Sequence, residues 1–160
     1  MQPFERSSAG RRSQYDPAGY PERVTAPPDR ALTEDDFRRL LEFRTELRRF
    51  NRWSEQQAAA QGLTHAQHQL LLAIRGHDDA RGPTIGDLAD HLLVRHHSAV
   101  ELVNRGQDAG FVAREKDTRD SRVVRVKLTR RGEDAVAALT ALHLEELRRL
   151  APLLDSLAGR

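Results

Sequence analysis

The chain has 160 residues, 38% hydrophobic and 31% charged, with 26 basic against 24 acidic side chains and a formal charge of +2, which fits one modest domain with at most a tail. No run approaches the roughly 18 apolar residues that crossing a bilayer needs, and the Met1 segment lacks the apolar stretch of a secretory signal, so the expectation is a soluble, cytoplasmic protein without a membrane partner. The absence of cysteine excludes disulfides, thiolate nucleophiles, cysteine-ligated zinc and cysteine redox sensing.

Residues 1–32 contain five of the seven prolines, few aliphatic side chains and no period, and read as a disordered N-terminal tail that cannot offset its ordering entropy. Arg6, Arg11, Arg12 and Arg23 within it can graze phosphates, although a solubilising extension is the favoured reading. Thr33 caps a long amphipathic helix that begins Glu34-Asp35-Asp36 and ends near Gly62, with Phe37, Leu40, Leu41, Leu47, Phe50 and Ser54 at helical spacing. Thr64 caps a second helix carrying Leu70, Leu71 and Ile74 and stopping near Gly76. A turn-rich stretch from His77 to Pro83 follows. Thr84 caps a third helix to Leu93, and a fourth runs from about Arg95 to Ala109 with Ala99, Leu102, Val103 and Gly106 inward and Gly110 as its stop. Phe111–Arg114 and Val123–Leu128 alternate as two strands around the polar tip Asp117-Thr118-Arg119-Asp120-Ser121. Thr129 caps a last helix, which Pro152 is expected to kink or divide.

The fold class is therefore mainly α with a small β-hairpin, and the order of two short helices, tight turn and basic hairpin over residues 62–132 is that of a winged helix-turn-helix. Charge follows the same division. Residues 95–132 hold ten basic and five acidic side chains, the positive excess expected of a phosphate-binding surface and equally of a solvated basic face. The second helix of such a pair enters the major groove. Here it starts Arg95-His96-His97-Ser98, all capable of donating to bases or phosphates, with Glu101 and Arg105 further along; a helix that merely begins with polar residues is the plainer alternative.

The runs GLTHAQHQLLLAI (62–74), TIGDLADHLLV (84–94) and DAGFVAREKDTRDSRVVRVKLTRRG (108–132) resemble the MarR family of bacterial transcription regulators. The wing is the most specific part: Arg114, then Asp117-Thr118-Arg119-Asp120-Ser121-Arg122, then Leu128-Thr129-Arg130-Arg131-Gly132, with Thr118 where the family usually has proline. The resemblance implies that Arg114, Arg119, Asp120 and Arg122 belong to a DNA-binding wing, with Arg122 in the minor groove and its guanidinium held by Asp120, a task for Arg's planar fork. An ordinary surface ion pair is the alternative for those two residues. Glu101 stands where Arg is common in the family, and can accept from a cytosine amino group. Gly106 stands where a larger apolar residue usually packs, at a cost in helix propensity of roughly 0.5–1 kcal/mol.

The stripe Leu139, Leu142, Leu147, Leu150 and Leu153, with Phe37, Leu40 and Leu47, exceeds what one small winged domain buries, so residues 33–61 and 133–160 are expected to be dimerisation helices of a homodimer on double-stranded, pseudo-palindromic DNA. A monomer with an intramolecular helical pair is the alternative. The family likeness also implies a repressor relieved by a small aromatic or phenolic effector, for which Arg44 and Arg48 offer an anion clamp and Trp53 and His68 a stacking face; the same side chains fit a core tryptophan and solvated arginines. No cofactor is expected. A zinc-responsive regulator is a further alternative because His65 and His68 lie three apart, but His143 with Glu145 and Glu146 has no second histidine one turn away. An enzyme is not expected, since HLEEL at His143 lacks a zinc-protease partner and no phosphate loop or nucleophile elbow occurs. A winged-helix module that binds protein is disfavoured by Arg119 and Arg122.

Overall fold

A computed structural model describes residues 31–157, so the tail expected over residues 1–32 lies, apart from its last two positions, outside the described residues. Five helices and one hairpin follow in the order α1 (Glu34–Ala60), α2 (His65–Arg75), α3 (Ile85–Leu92), α4 (His96–Asp108), β1 (Val112–Lys116), β2 (Val124–Leu128) and α5 (Arg130–Leu157). Local chemistry sets the helix starts. Thr33, Thr64 and Thr84 each accept at Oγ1 from the backbone N–H three residues on, while Asp36, Gln67 and Asp87 reach back to the cap, giving three reciprocal capping boxes.

The core gathers one face of each element: Leu70, Leu71 and Ile74 of α2, Leu88 of α3, Leu102 and Val103 of α4, Phe111 and Val112 at the start of the hairpin, Val126 of β2, and Val136 and Leu139 of α5. The strands pair antiparallel with Val112 opposite Leu128 and Lys116 opposite Val124. The first strand therefore starts one residue later than periodicity suggests and runs two residues past Arg114, because pairing with β2, not the local pattern, fixes its ends. Pro152 sits inside α5, which runs on to Leu157 and so is not divided there; its missing N–H removes one hydrogen bond from that helix.

The apolar stripe of α5 also divides. Leu139 and Leu150 are buried within the protomer, whereas Leu142, Leu144 and Leu147 are exposed, as are Phe37, Leu40, Leu41 and Leu47 of α1; the side chain of Leu153 lies outside the described residues. Among the described residues no helix is long and apolar enough to cross a membrane.

Candidate nucleic-acid interface

α3 ends at Leu93, whose φ of 54° is left-handed, and after Val94 the chain enters α4 at Arg95. α4 differs from α1, α2 and α3 in having no side-chain cap, so the N–H groups of its first turn and the positive end of its dipole are free toward an anion. Arg95, His96 and His97 are exposed and Ser98 is half-buried; with Glu101 and Arg105, both exposed, they make no side-chain hydrogen bond or ion pair to other described residues.

The wing tip is built around Asp117, a residue that sequence reasoning did not single out. Its carboxylate is buried, accepting at Oδ1 from the backbone N–H of Arg119 (2.7 Å) and Asp120 (3.2 Å), and at Oδ2 from Arg125 Nε (2.8 Å) and Arg81 NH1 (3.1 Å). The Arg119 N–H first, then the Arg125 guanidinium, hold this carboxyl down at about 2. Arg81 also donates to Asp79, whose carboxyl is likewise pushed well below the usual range by that guanidinium. Arg125 NH1 donates to Gly82 O, Lys127 Nζ to Ala80 O and Val126 N to Pro83 O, so the loop between α2 and α3 is stitched along β2.

Asp120 and Arg122 form the two-pronged pair: Arg122 Nε donates to Oδ1 and NH2 to Oδ2, both at 3.0 Å. The guanidinium lowers the Asp120 carboxyl and is itself raised, yet Arg122 stays 88% exposed, so the pair orients a cation at the tip without withdrawing it from solvent. Arg119 is exposed beside it, with no side-chain partner among the described residues. Arg114 lies elsewhere, at the base of the wing, where NH1 donates to Gln107 Oε1 (2.6 Å) and NH2 to Asn104 Oδ1 (2.7 Å) of α4.

A second feature lies between α1, α2 and α5. A cavity of about 480 Å³ is lined by Phe50, Ser54, His65, His68, Leu72, His143 and Leu147, among others. Of the four residues expected there, His68 lines it and Arg44, Arg48 and Trp53 do not; Arg44 and Arg48 are exposed, Arg48 donating to Thr45 Oγ1, and Trp53 packs against His143 at 4.9 Å between rings. His143 donates from Nδ1 to Leu139 O (2.7 Å), and its Nε2 shares a hydrogen bond with Ser54 Oγ (2.8 Å). His68 is 2% exposed, its ring lies 4.7 Å from that of His143, and its Nδ1 has no partner, as is true of His65 Nδ1. Burial first, then His143 and His65, lower His68 to about 4. No Lys or Arg lines the cavity, and no group of three or more His, Cys, Asp or Glu side chains among the described residues is arranged to hold a metal.

Comparison with known proteins places this architecture. Residues 61–123, from the end of α1 to the wing tip, match the MarR family model. The transcriptional activatory protein BadR of Rhodopseudomonas palustris is 37% identical over 73 residues, which are 46% of this chain and 42% of that protein, so the matched region spans less than half of the relative. Solved structures agree over more of the chain at lower identity. The Staphylococcus aureus MepR–DNA complex superposes with a TM-score of 0.61 at 21% identity over 77% of this chain and 85% of that one. YusO of Bacillus subtilis gives 0.59 at 19% identity over 80% and 99%, and a MarR family protein from Bacillus stearothermophilus 0.62 at 21% over 75% and 82%. Residues 61–123 thus carry the match to the MarR family model, and the described residues as a whole share the winged helix-turn-helix fold of the solved structures on which they superpose.

Proposed function

We propose that the protein is a sequence-specific DNA-binding transcription regulator that acts as a homodimer. The observation that supports this best is the pair of free, donor-rich arrays on one framework: the uncapped start of α4 with Arg95, His96, His97 and Ser98, and the wing tip with Arg119 and the Asp120-oriented Arg122. An α-helix fits the major groove, and an arginine on a hairpin tip fits the narrower minor groove beside it. Glu101 and Arg105 extend the groove-facing set, Glu101 with an acceptor for cytosine. The exposed apolar side chains of α1 and α5 suit burial against a second copy, whose symmetry sets an inverted-repeat operator. Sedimentation is expected to show a dimer, and Leu40→Glu with Leu147→Glu to shift it toward monomer; a monomeric wild type overturns that part.

The operator is tested by selecting bound duplexes from a randomised pool at two salt concentrations. An inverted repeat with half-sites about one helical turn apart is expected, with Arg122→Ala weakening binding about tenfold and reducing the salt slope by about 0.9. No enrichment, and no effect of the mutation, sinks the reading.

Two finer points complete it. The cavity suits a small, uncharged aromatic or phenolic effector, because its volume is right for one ring system, no Lys or Arg lines it, and His68 Nδ1 is left without a partner to bond a hydroxyl. The expected anion clamp from Arg44 and Arg48 has no support in that lining. As to sign, repression is the reading taken from the sequence, while the likeness to BadR, named as an activatory protein, favours activation; a reporter downstream of the selected operator decides between them.

A further inference from the structure

Where α4 meets β1 the two elements touch through an apolar floor and a polar clasp. Val112 and Arg114 are two apart on β1 and share its face. Val112 is buried against Gly106 of α4, closely enough that a Cβ on Gly106 would stand 3.2 Å from Val112 Cγ2 and 3.2 Å from Leu70 Cδ2. Above that contact Arg114 spans Asn104 and Gln107, residues three apart on α4, with bonds of 2.7 and 2.6 Å. Both acceptors are neutral amide oxygens. The guanidinium is therefore fixed in direction by its rigid fork, yet no carboxylate among the described residues neutralises it.

We infer that Arg114 is a positioning residue, which clasps the C-terminal half of α4 to the base of the wing so that the groove helix and the wing tip are presented to DNA as one rigid reader. This rests on the DNA-binding reading above, and it replaces direct phosphate contact as the role of Arg114. The clasp uses one hydrogen of NH1 and one of NH2 and thereby turns the fork toward Gln107 and Asn104 on α4, so the direction of the guanidinium is set by the helix. Removing the clasp should let the hairpin pivot on the Gly106–Val112 contact, which costs specific binding while leaving the number of neutralised phosphates unchanged.

The test uses the full chain and the duplex recovered by selection, with four proteins: wild type, Arg114→Ala, the pair Asn104→Ala with Gln107→Ala, and the triple variant. Affinity is measured across a salt series, and amide hydrogen exchange is followed over β1 in the DNA-free protein. Arg114→Ala is expected to weaken specific binding about tenfold with the salt slope unchanged, the amide pair to weaken it similarly, and the triple variant to be no worse than either, the signature of residues acting through one another. Exchange over β1 should quicken in all three. A slope lowered by about 0.9 in Arg114→Ala marks a phosphate contact and overturns the inference, as do additive losses. Should the wild type select no duplex, the DNA reading fails separately, and the exchange arm still decides: undisturbed β1 protection in Arg114→Ala overturns the clasp.

Discussion

Gly132→Ala is expected to destabilise the protein by about 3 kcal/mol or more in urea unfolding, although alanine is the better helix former. Gly132 lies in the first turn of α5, and a Cβ there would sit 2.1 Å from the carbonyl oxygen of Phe111 and 3.2 Å from its carbon. Both are backbone atoms, so no rotamer change relieves the clash. The same carbonyl accepts the N–H of Thr129 at 3.0 Å, and Phe111 is buried in the core beneath the Arg131 guanidinium, 4.3 Å above its ring. Making room thus means parting the hairpin from α5. Gly86→Ala in α3 is the control, because its Cβ would meet only Thr84 Oγ1 at an ordinary 3.6 Å; it should gain several tenths of a kcal/mol from propensity. A neutral Gly132→Ala would show that the junction yields.

Acid should weaken the fold through His68 well before the carboxylates titrate. An unfolded histidine binds a proton near 6.5, whereas buried His68 does so only at about 4, so between those values the unfolded state holds the extra proton. Stability contributed by the neutral ring is intact above pH 6.5 and is lost as the pH falls toward 4, a decline of about 2–3 kcal/mol. His68→Leu should flatten that portion of the stability profile whatever it does to stability at pH 8; an unchanged slope would refute the assignment. If the cavity takes a hydroxyl on His68 Nδ1, effector binding to the folded protein should change only as the pH falls through about 4, where the buried ring takes its proton.

Much of this architecture is written locally. Thr64 followed by Gln67, and Thr84 followed by Asp87, announce helix starts in three residues, and the alternation of Val124, Val126 and Leu128 announces a strand. Gly106 had looked like a defect, a lost side chain where packing is wanted; in the structure Leu70 and Val112 already occupy the space. What stayed hidden depends on distant partners. Asp117 is unremarkable until Arg81, 36 residues earlier, and Arg125 close over it, and His143 was weighed only as a metal ligand because nothing near it announces Ser54, 89 residues away. Arg114 matched a motif, but a motif does not say which way its fork turns; Asn104 and Gln107 do.

The loop stitched along β2 also decides what the edge of the hairpin offers to other chains. A two-stranded ribbon is marginal by itself, and its free backbone edge is a template for pairing with other chains. Here the outer rim of β2 is spoken for by Pro83 O, while Arg125 and Lys127 carry charge across it to Gly82 and Ala80. Strand-to-strand pairing with another chain is thereby blocked on that side of the hairpin.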